Sequence, residues 1–234
     1  KMTGGEAAVA ALRANGIKTL FGLPGVQNDW LYNALYDAGD AIRVIHTRHE
    51  QGAGYMALGA ALATGETAVF NVVPGPGLLN ASAALATAYG LNAKLLCLTG
   101  QIPTPNIGRG LGVLHELPDQ LAILRQLTKW ANRATHPSQI PTYVAEAFWQ
   151  MSSGRPRPVG LEIPMDVLAM EAVVKPVHSL PEPYTPPADE GLIEQAARAL
   201  GKAKRPLIYV GGGAQNVSEA VTELAKMLQA PVVG

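Results

Sequence analysis

Short apolar runs alternate with helix-like segments along most of this sequence, and this alternation limits the fold more than any other feature. The connections between them are short, which is typical of βαβ units that form a parallel sheet covered by helices. We therefore predict an α/β fold: a doubly wound, parallel, six-stranded sheet with helices on both faces, followed by an incomplete second α/β domain. The predicted strands of the sheet are residues 19–21, 42–45, 67–73, 94–99, 129–134 and 159–163.

Two of the predicted helices carry additional information. The first begins with Thr3 and Glu6 at the spacing of a capping box, in which each residue satisfies a free backbone N–H group of the other. The helix predicted over residues 52–64 is rich in Gly and Ala. Because small side chains let backbones approach one another, we expect another segment to pack closely against it.

The chain is longer than an average single domain, at 234 residues, and its proline distribution suggests a boundary. The density of prolines between Lys175 and Ala188 forbids regular elements and stiffens the path. We predict a first domain over residues 1–174, a linker over 175–188 and the beginning of a central domain over 189–234. One helix and one βαβ unit are too small to close a core, so we expect this second domain to be truncated at Gly234.

Charge and cysteine content exclude several classes of protein. Eighteen basic and eighteen acidic residues cancel, and only 15% of residues are charged, which leaves no basic field for nucleic acid or a membrane surface. The one cysteine, Cys97, lies in an apolar run, so we expect it to pack in the core. A single cysteine cannot form an internal disulfide, which is compatible with a reducing compartment. Residues 1–6 show no apolar signal region, and no run of about 18 apolar residues occurs. We expect a soluble, cytoplasmic protein.

The most informative stretch is residues 44–54, an apolar run that breaks into polar residues and then a Gly-rich helix start. It places Glu50 at a strand-to-helix junction. Ligands of α/β sheets bind outside the carboxyl ends of the strands, so Glu50 is a candidate site residue. The alternative is an ordinary acidic residue in the first turn of a helix, where the helix dipole favours negative charge.

Four segments together resemble the pyrimidine-binding domain of thiamine diphosphate enzymes, most closely the acetolactate synthase-like branch. They are Phe-Gly-Leu-Pro-Gly (21–25), Arg-His-Glu-Gln-Gly-Ala (48–53), Pro-Gly-Pro-Gly-Leu-Leu-Asn (74–80) and Leu-Thr-Gly-Gln-Ile-Pro (98–103). The resemblance runs in order from about Thr3 to Val167 and continues weakly to Gly234.

This resemblance implies roles for particular residues. Glu50 matches the carboxylate that hydrogen-bonds a ring nitrogen of the cofactor's aminopyrimidine and stabilises its imino tautomer. If Glu50 is buried in an apolar surround, its pKa should be raised, which would let it share a proton near neutral pH. Leu23, Pro24 and Gly25 match the turn beside the thiazolium ring, and Pro76 and Asn80 match positions that contact the aminopyrimidine. From the residues alone, ordinary strand-to-helix turns remain the alternative.

His115 departs from the acetolactate synthase pattern, which usually has Gln where this chain has Leu-His-Glu (114–116). A histidine can donate, accept or shuttle a proton near neutral pH, so His115 is a candidate on the substrate side. The alternative is a surface-loop histidine. Pro74 also replaces the usual Ser or Thr. These departures leave cofactor binding intact and put acetolactate synthesis itself in question.

Metal and flavin sites follow from the resemblance only in part. The family holds the diphosphate through Mg²⁺ with a Gly-Asp-Gly motif in a third domain, and the nearest match here, Gly-Asp-Ala (39–41), lacks the second glycine. We therefore assign no metal ligand to this chain. Gly211, Gly212 and Gly213 follow a predicted strand in a region that touches FAD in flavin-carrying relatives. Relatives without flavin keep similar glycines, so FAD stays open.

Two functions from different classes fit these observations. The first is a fragment of a thiamine diphosphate-dependent lyase or transferase that acts on a 2-oxo acid by decarboxylation, with or without carboligation. A second subunit would complete its active site in a homodimer or homotetramer, and the fragment alone would be inactive. The second is a non-catalytic nucleotide-binding or regulatory module, or a subunit that needs a separate diphosphate-binding chain.

Overall fold

The structure is a computed structural model that describes residues 1–177, 180–181, 184 and 186–234. The chain forms two compact units, Lys1–Pro183 and Tyr184–Gly234. Of the predicted linker, residues 178–179, 182–183 and 185 lie outside the described residues. The linker residues that are described belong to no helix or strand.

The first unit is built on a six-stranded parallel sheet, as predicted, in the strand order β3-β2-β4-β5-β7-β6. Strand β4 pairs with β2 on one side and with β5 on the other, so Phe70 of β4 lies opposite both Phe21 and Cys97. A separate antiparallel pair joins β1 to β8. The strands of this unit are β1 (Met2–Thr3), β2 (Thr19–Gly22), β3 (Arg43–His46), β4 (Ala68–Val72), β5 (Leu95–Gln101), β6 (Trp130–Arg133), β7 (Val159–Pro164) and β8 (Glu171–Ala172).

Helices cover both faces of this sheet, which confirms the doubly wound arrangement. They are α1 (Gly4–Ala14), α2 (Asp29–Asp37), α3 (Glu50–Thr64), α4 (Pro76–Gly90), α5 (Gln120–Leu127), α6 (Ile140–Ser152) and α7 (Met165–Ala169). One core lies between the sheet and α1, α2, α6 and α7, and a second lies between the sheet and α3, α4 and α5. Strand β4 alternates between them, because Val69 faces the first core while Ala68 and Phe70 face the second.

Local expectations for three features hold. Thr3 and Glu6 form the predicted capping box at the start of α1. Helix α3 packs closely on α4, so that a Cβ added at Gly54 would lie 2.7 Å from the Cβ of Ala84. Cys97 is buried in the second core, and this burial raises the pKa of its thiol. Cys97 therefore serves packing.

The second unit contains α8 (Glu190–Lys202), β9 (Ile208–Tyr209), α9 (Ser218–Leu228) and β10 (Val232–Val233). Strands β9 and β10 pair in parallel, which makes the predicted βαβ unit. Among the residues described in this unit, only Ala230 is buried. The unit therefore has almost no core of its own.

Candidate cofactor site

The predicted site residues follow three strands that are adjacent in the sheet. Strand β2 lies between β3 and β4, so the chain winds first to one side of β2 and then crosses to the other. Such a switch point opens a crevice at the carboxyl ends of the strands, where α/β proteins bind ligands. Leu23–Gly25 follow β2, Glu50 begins the helix after β3, and Pro76 and Asn80 lie on the helix after β4.

Glu50 and Asn80 are brought together although 30 residues separate them. The Asn80 Nδ2 atom donates a hydrogen bond of 3.0 Å to Glu50 Oε2. Glu50 is the first residue of α3, two positions earlier than the predicted helix start, and His49 caps this helix by accepting the N–H group of Gln51. Glu50 is half-buried and Asn80 is exposed. This chain alone therefore does not supply the apolar enclosure expected around Glu50.

Val73 packs against two glycines near this pair, Gly25 in the turn after β2 and Gly77 in the first turn of α4. A Cβ added at Gly25 or at Gly77 would lie 2.6 Å from a methyl group of Val73, so neither turn has room for a side chain. The Leu23 N–H group also donates to the Asn71 carbonyl oxygen at 3.3 Å, which holds the turn after β2 against β4. Leu23 and Gly25 are half-buried, whereas Pro24 and Pro76 are exposed.

These groups suit a flat heterocycle. A carboxylate accepts from a ring N–H or an amino group, an adjacent amide offers both a donor and an acceptor, and glycine turns let backbone approach the ring. An aminopyrimidine carries this combination of ring nitrogens and an amino group. The residues present therefore fit the pyrimidine half of thiamine diphosphate.

His115 lies on the loop after β5 and reaches the same region. A Cβ added at Gly75 would lie 2.5 Å from the carbonyl oxygen of His115, so the backbone of His115 packs on the turn before Pro76. The His115 Nδ1 atom lies 2.9 Å from Gln27 Oε1, and Gln27 Nε2 donates to the Leu114 carbonyl oxygen at 3.5 Å. That second bond orients the Gln27 amide with its oxygen toward the imidazole.

Glu116 organises the loop that carries His115. Its carboxylate accepts the backbone N–H groups of Gly110, Leu111 and Val113 at 2.9, 3.3 and 3.1 Å. Desolvation raises the pKa of this carboxyl group, but hydrogen bonds from the backbone of residues 110–113 outweigh it, so the pKa is lowered. The ionised carboxylate therefore favours one loop conformation.

Sequence reasoning missed three buried polar residues near the site: Gln27, Gln120 and Glu162. Gln120 accepts the N–H group of Gly75 and donates to Glu162. One signal was available, because Glu162 lies within a strand that is otherwise apolar, and a buried charge requires partners. Gln27 and Gln120 lie in polar stretches where nothing in the sequence distinguishes them from surface residues.

The part of the chain that the structure describes lacks two features. There, no group of three or more His, Cys, Asp or Glu side chains is arranged to hold a metal ion. In the same part of the chain, no helix combines the length and the apolar character needed to cross a bilayer.

Comparison with known families agrees with this geometry. Residues 2–123 match the thiamine pyrophosphate enzyme, N-terminal TPP binding domain, where TPP is another name for thiamine diphosphate. Residues 193–234 match the central domain of the same enzymes. The chain belongs to the thiamine pyrophosphate enzyme family.

Curated relatives of the chain are much longer than it is. The chain is 40% identical to the probable 2-ketoarginine decarboxylase of Pseudomonas aeruginosa, with 99% of the chain and 41% of that protein covered. It is 37% identical to the acetolactate synthase isozyme 1 large subunit of Escherichia coli, with 99% and 41% covered. For a probable acetolactate synthase large subunit of Methanocaldococcus jannaschii, the identity is 36%, with 99% and 40% covered. The chain therefore spans about two fifths of the length of these relatives.

Proposed function

We propose that the protein carrying this chain is a thiamine diphosphate-dependent enzyme that decarboxylates a 2-oxo acid. The hydrogen-bonded pair of Glu50 and Asn80 at the switch point is the observation that carries this proposal. One relative is named for decarboxylation of a 2-oxo acid, which supports the reaction class. Others are named for acetolactate synthesis, so transfer to a second carbonyl compound is the alternative outcome.

When bound, the cofactor would supply a thiazolium carbon that is acidic and, once it has lost its proton, nucleophilic toward a carbonyl group. Glu50 would hydrogen-bond a ring nitrogen of the pyrimidine and hold the proton that the two share. Asn80 donates to Glu50 Oε2, and within the described part of the chain no hydrogen bond reaches Oε1, which is available for this bond. The side chain of Asn80 thus orients the carboxylate, while Leu23, Pro24, Gly25 and Pro76 shape the pocket for the rings.

His115 is our candidate for contact with the substrate. With Gln27 Oε1 accepting the hydrogen on Nδ1, the neutral imidazole has an unprotonated Nε2 that can accept a hydrogen bond or a proton. In this tautomer Nε2 would accept a proton or a hydrogen bond from the substrate, whereas an imidazole that carries a hydrogen on Nε2 as well would donate it to the carboxylate of an oxo acid.

The remaining parts of the enzyme follow from the same proposal. Residues 1–174 form the pyrimidine-binding domain, 175–188 the linker and 189–234 the beginning of the central domain. Mg²⁺ and the diphosphate would be bound by a part of the protein beyond these residues, and a second subunit would complete the site. Gly211 precedes a 3₁₀ helix and Gly212 and Gly213 begin it. All three are exposed, so their backbone N–H groups would be accessible to a flavin nucleotide. We place this enzyme in the cytoplasm.

Glu50→Gln in the whole protein tests the proposal. The amide keeps the size and the bond to Asn80 but cannot share the proton, so the folding midpoint should be unchanged. Exchange of the thiazolium proton with solvent, followed by NMR, should slow about 100-fold or more. The exposed Glu66→Gln is the matched control and should exchange at the wild-type rate.

Two results would separate the alternatives. An unchanged exchange rate in Glu50→Gln would refute the role of Glu50. Failure of the wild-type protein to bind thiamine diphosphate, with Mg²⁺ present, would instead favour a non-catalytic module.

A further inference from the structure

Gln120 is buried at the start of α5 and joins three separate segments of the first unit. Its Oε1 atom accepts the backbone N–H group of Gly75 at 2.8 Å. Its Nε2 atom donates to the carbonyl oxygen of Gly100 at 2.9 Å and to Glu162 Oε2 at 3.0 Å. One side chain therefore ties the turn before α4 to the carboxyl ends of β5 and β7.

Only a glutamine satisfies all of these partners. The amide has one carbonyl oxygen and two N–H groups, and each has a partner here. A glutamate would lack both donors and would place a second negative charge beside Glu162. Glu162 itself is fully buried and forms an ion pair with Arg133, so the network ends in a compensated charge.

The position of Gln120 is itself held by local structure. Asp119 caps α5, with its Oδ1 atom accepting the Ala122 N–H group at 3.0 Å, and Gln120 is the first residue of that helix. A capped helix start moves little, so the amide is presented to Gly75 from a rigid element.

The backbone N–H group of Gly75 is buried and needs a hydrogen-bond partner. Because glycine is flexible, such a partner also fixes the conformation of the turn. With φ at 60° and ψ at −121°, Gly75 occupies a region open to glycine and strained for other residues. As the residue before α4, it has no side chain that could cap the helix. Its carbonyl oxygen accepts from the Leu79 N–H group at 3.0 Å, so its orientation sets the first turn of α4 and, one residue further, Asn80.

We propose that Gln120 is a positioning residue that fixes the Gly75 turn and thereby sets Pro76 and Asn80 relative to Glu50 for cofactor binding. The inference rests on the proposed function for its consequence, but the clamp itself is a property of the polypeptide. Gln120 acts through the Gly75 turn and contacts no reacting atom.

The test uses the whole protein with Gln120→Met. Methionine keeps the length of the side chain but cannot form the hydrogen bonds to Gly75, Gly100 and Glu162. Gln139→Met is the matched control, because Gln139 Oε1 also accepts a backbone N–H group, that of Thr135 at 2.8 Å, in a different part of the unit. Hydrogen exchange by mass spectrometry, without cofactor, reports on the backbone N–H groups of residues 75–80, except at Pro76, which has none. Titration with thiamine diphosphate and Mg²⁺ then gives the dissociation constant.

We expect Gln120→Met to speed exchange at residues 75–80 about tenfold and to raise the dissociation constant by a similar factor. Gln139→Met should change neither. Gln120→Asn keeps the amide but shortens its reach by one methylene, so it should give a smaller change in the same two quantities. Asn serves as the test variant if the Met variant does not fold.

Each outcome bears on a separate claim. Equal exchange at residues 75–80 in wild type and the Gln120 variants would overturn the clamp. Faster exchange with an unchanged dissociation constant would overturn its role in cofactor binding. A wild-type protein that binds no thiamine diphosphate would refute the proposed function, while the exchange experiment would still decide on the clamp.

Discussion

At the scale of single residues, the contact between Gln27 and His115 makes the most specific prediction. Gln27→Leu keeps the volume but removes the acceptor that holds the imidazole through Nδ1. Because His115 would lose its fixed tautomer and orientation, we expect kcat to fall about tenfold with a smaller change in the KM for the oxo acid. Steady-state kinetics of the whole enzyme measure both.

A double-mutant cycle distinguishes this role from general loss of stability. If Gln27 acts through His115, then Gln27→Leu should have no further effect on kcat in a His115→Phe background. Gln150→Leu, at a half-buried position near the end of α6, is the control and should leave kcat unchanged. Independent, multiplying effects of the Gln27 and His115 changes would contradict the coupling.

The candidate site could be predicted only where a residue type and its place in a motif carry the information. Glu50 and Asn80 were identified through the resemblance of their segments, and the structure brings them into contact. Gln27 and Gln120 were missed, because their partners are backbone groups, a histidine and a carboxylate that lie 20 or more residues away along the chain. Contacts of that kind depend on strand order, which no local pattern encodes.

At the scale of elements, the Glu116 carboxylate holds the loop segment over residues 110–113, and this contact leads to a prediction about pH. The folded-state pKa of Glu116 is lowered, so the order it provides is present above the ordinary glutamate pKa of about 4.3 and is lost only as pH falls through the lower folded value. We therefore expect amide exchange of residues 110–116, corrected for intrinsic rates, to show the same protection at pH 6 and pH 8.

Glu116→Gln should mimic the acid state at neutral pH. A neutral amide has one acceptor oxygen and forms weaker bonds than a carboxylate, so the N–H groups of residues 110–113 would lose part of their support. Trypsin should then cut after the exposed Arg109 several-fold faster than in wild type, with Glu66→Gln as control. Cleavage at the wild-type rate would show that other contacts hold the loop.

At this scale, an element could be predicted when it was long enough to show several repeats of its hydrophobic pattern. The six strands of the sheet and helix α3 were found, with boundaries shifted by no more than about two residues. Strands β1 and β8 have two residues each and α7 has five, too few to show a period. The β1–β8 pair also depends on contact between distant parts of the chain.

At the scale of the whole molecule, α3 and α4 leave apolar side chains uncovered in this chain. We refer to this set as the α3–α4 surface: Tyr55, Met56, Leu62, Leu79, Tyr89 and Leu91. Large apolar side chains exposed on two helices that pack against each other are typical of a protein interface. The same helices begin at or near Glu50 and Pro76, so a subunit covering them would also supply the enclosure that Glu50 lacks here.

We therefore expect the whole protein to be at least a homodimer through the α3–α4 surface, and Met56→Glu tests this. A charge buried without a partner should raise the dimer dissociation constant about 100-fold or more. Sedimentation at micromolar concentration should then show monomers with an unchanged far-UV spectrum, and thiamine diphosphate affinity should fall in parallel. Tyr36→Glu, at an exposed position on α2 across the sheet, should remain dimeric. A wild-type protein that sediments as a monomer would refute the interface, and a dimeric Met56→Glu protein would place the interface elsewhere.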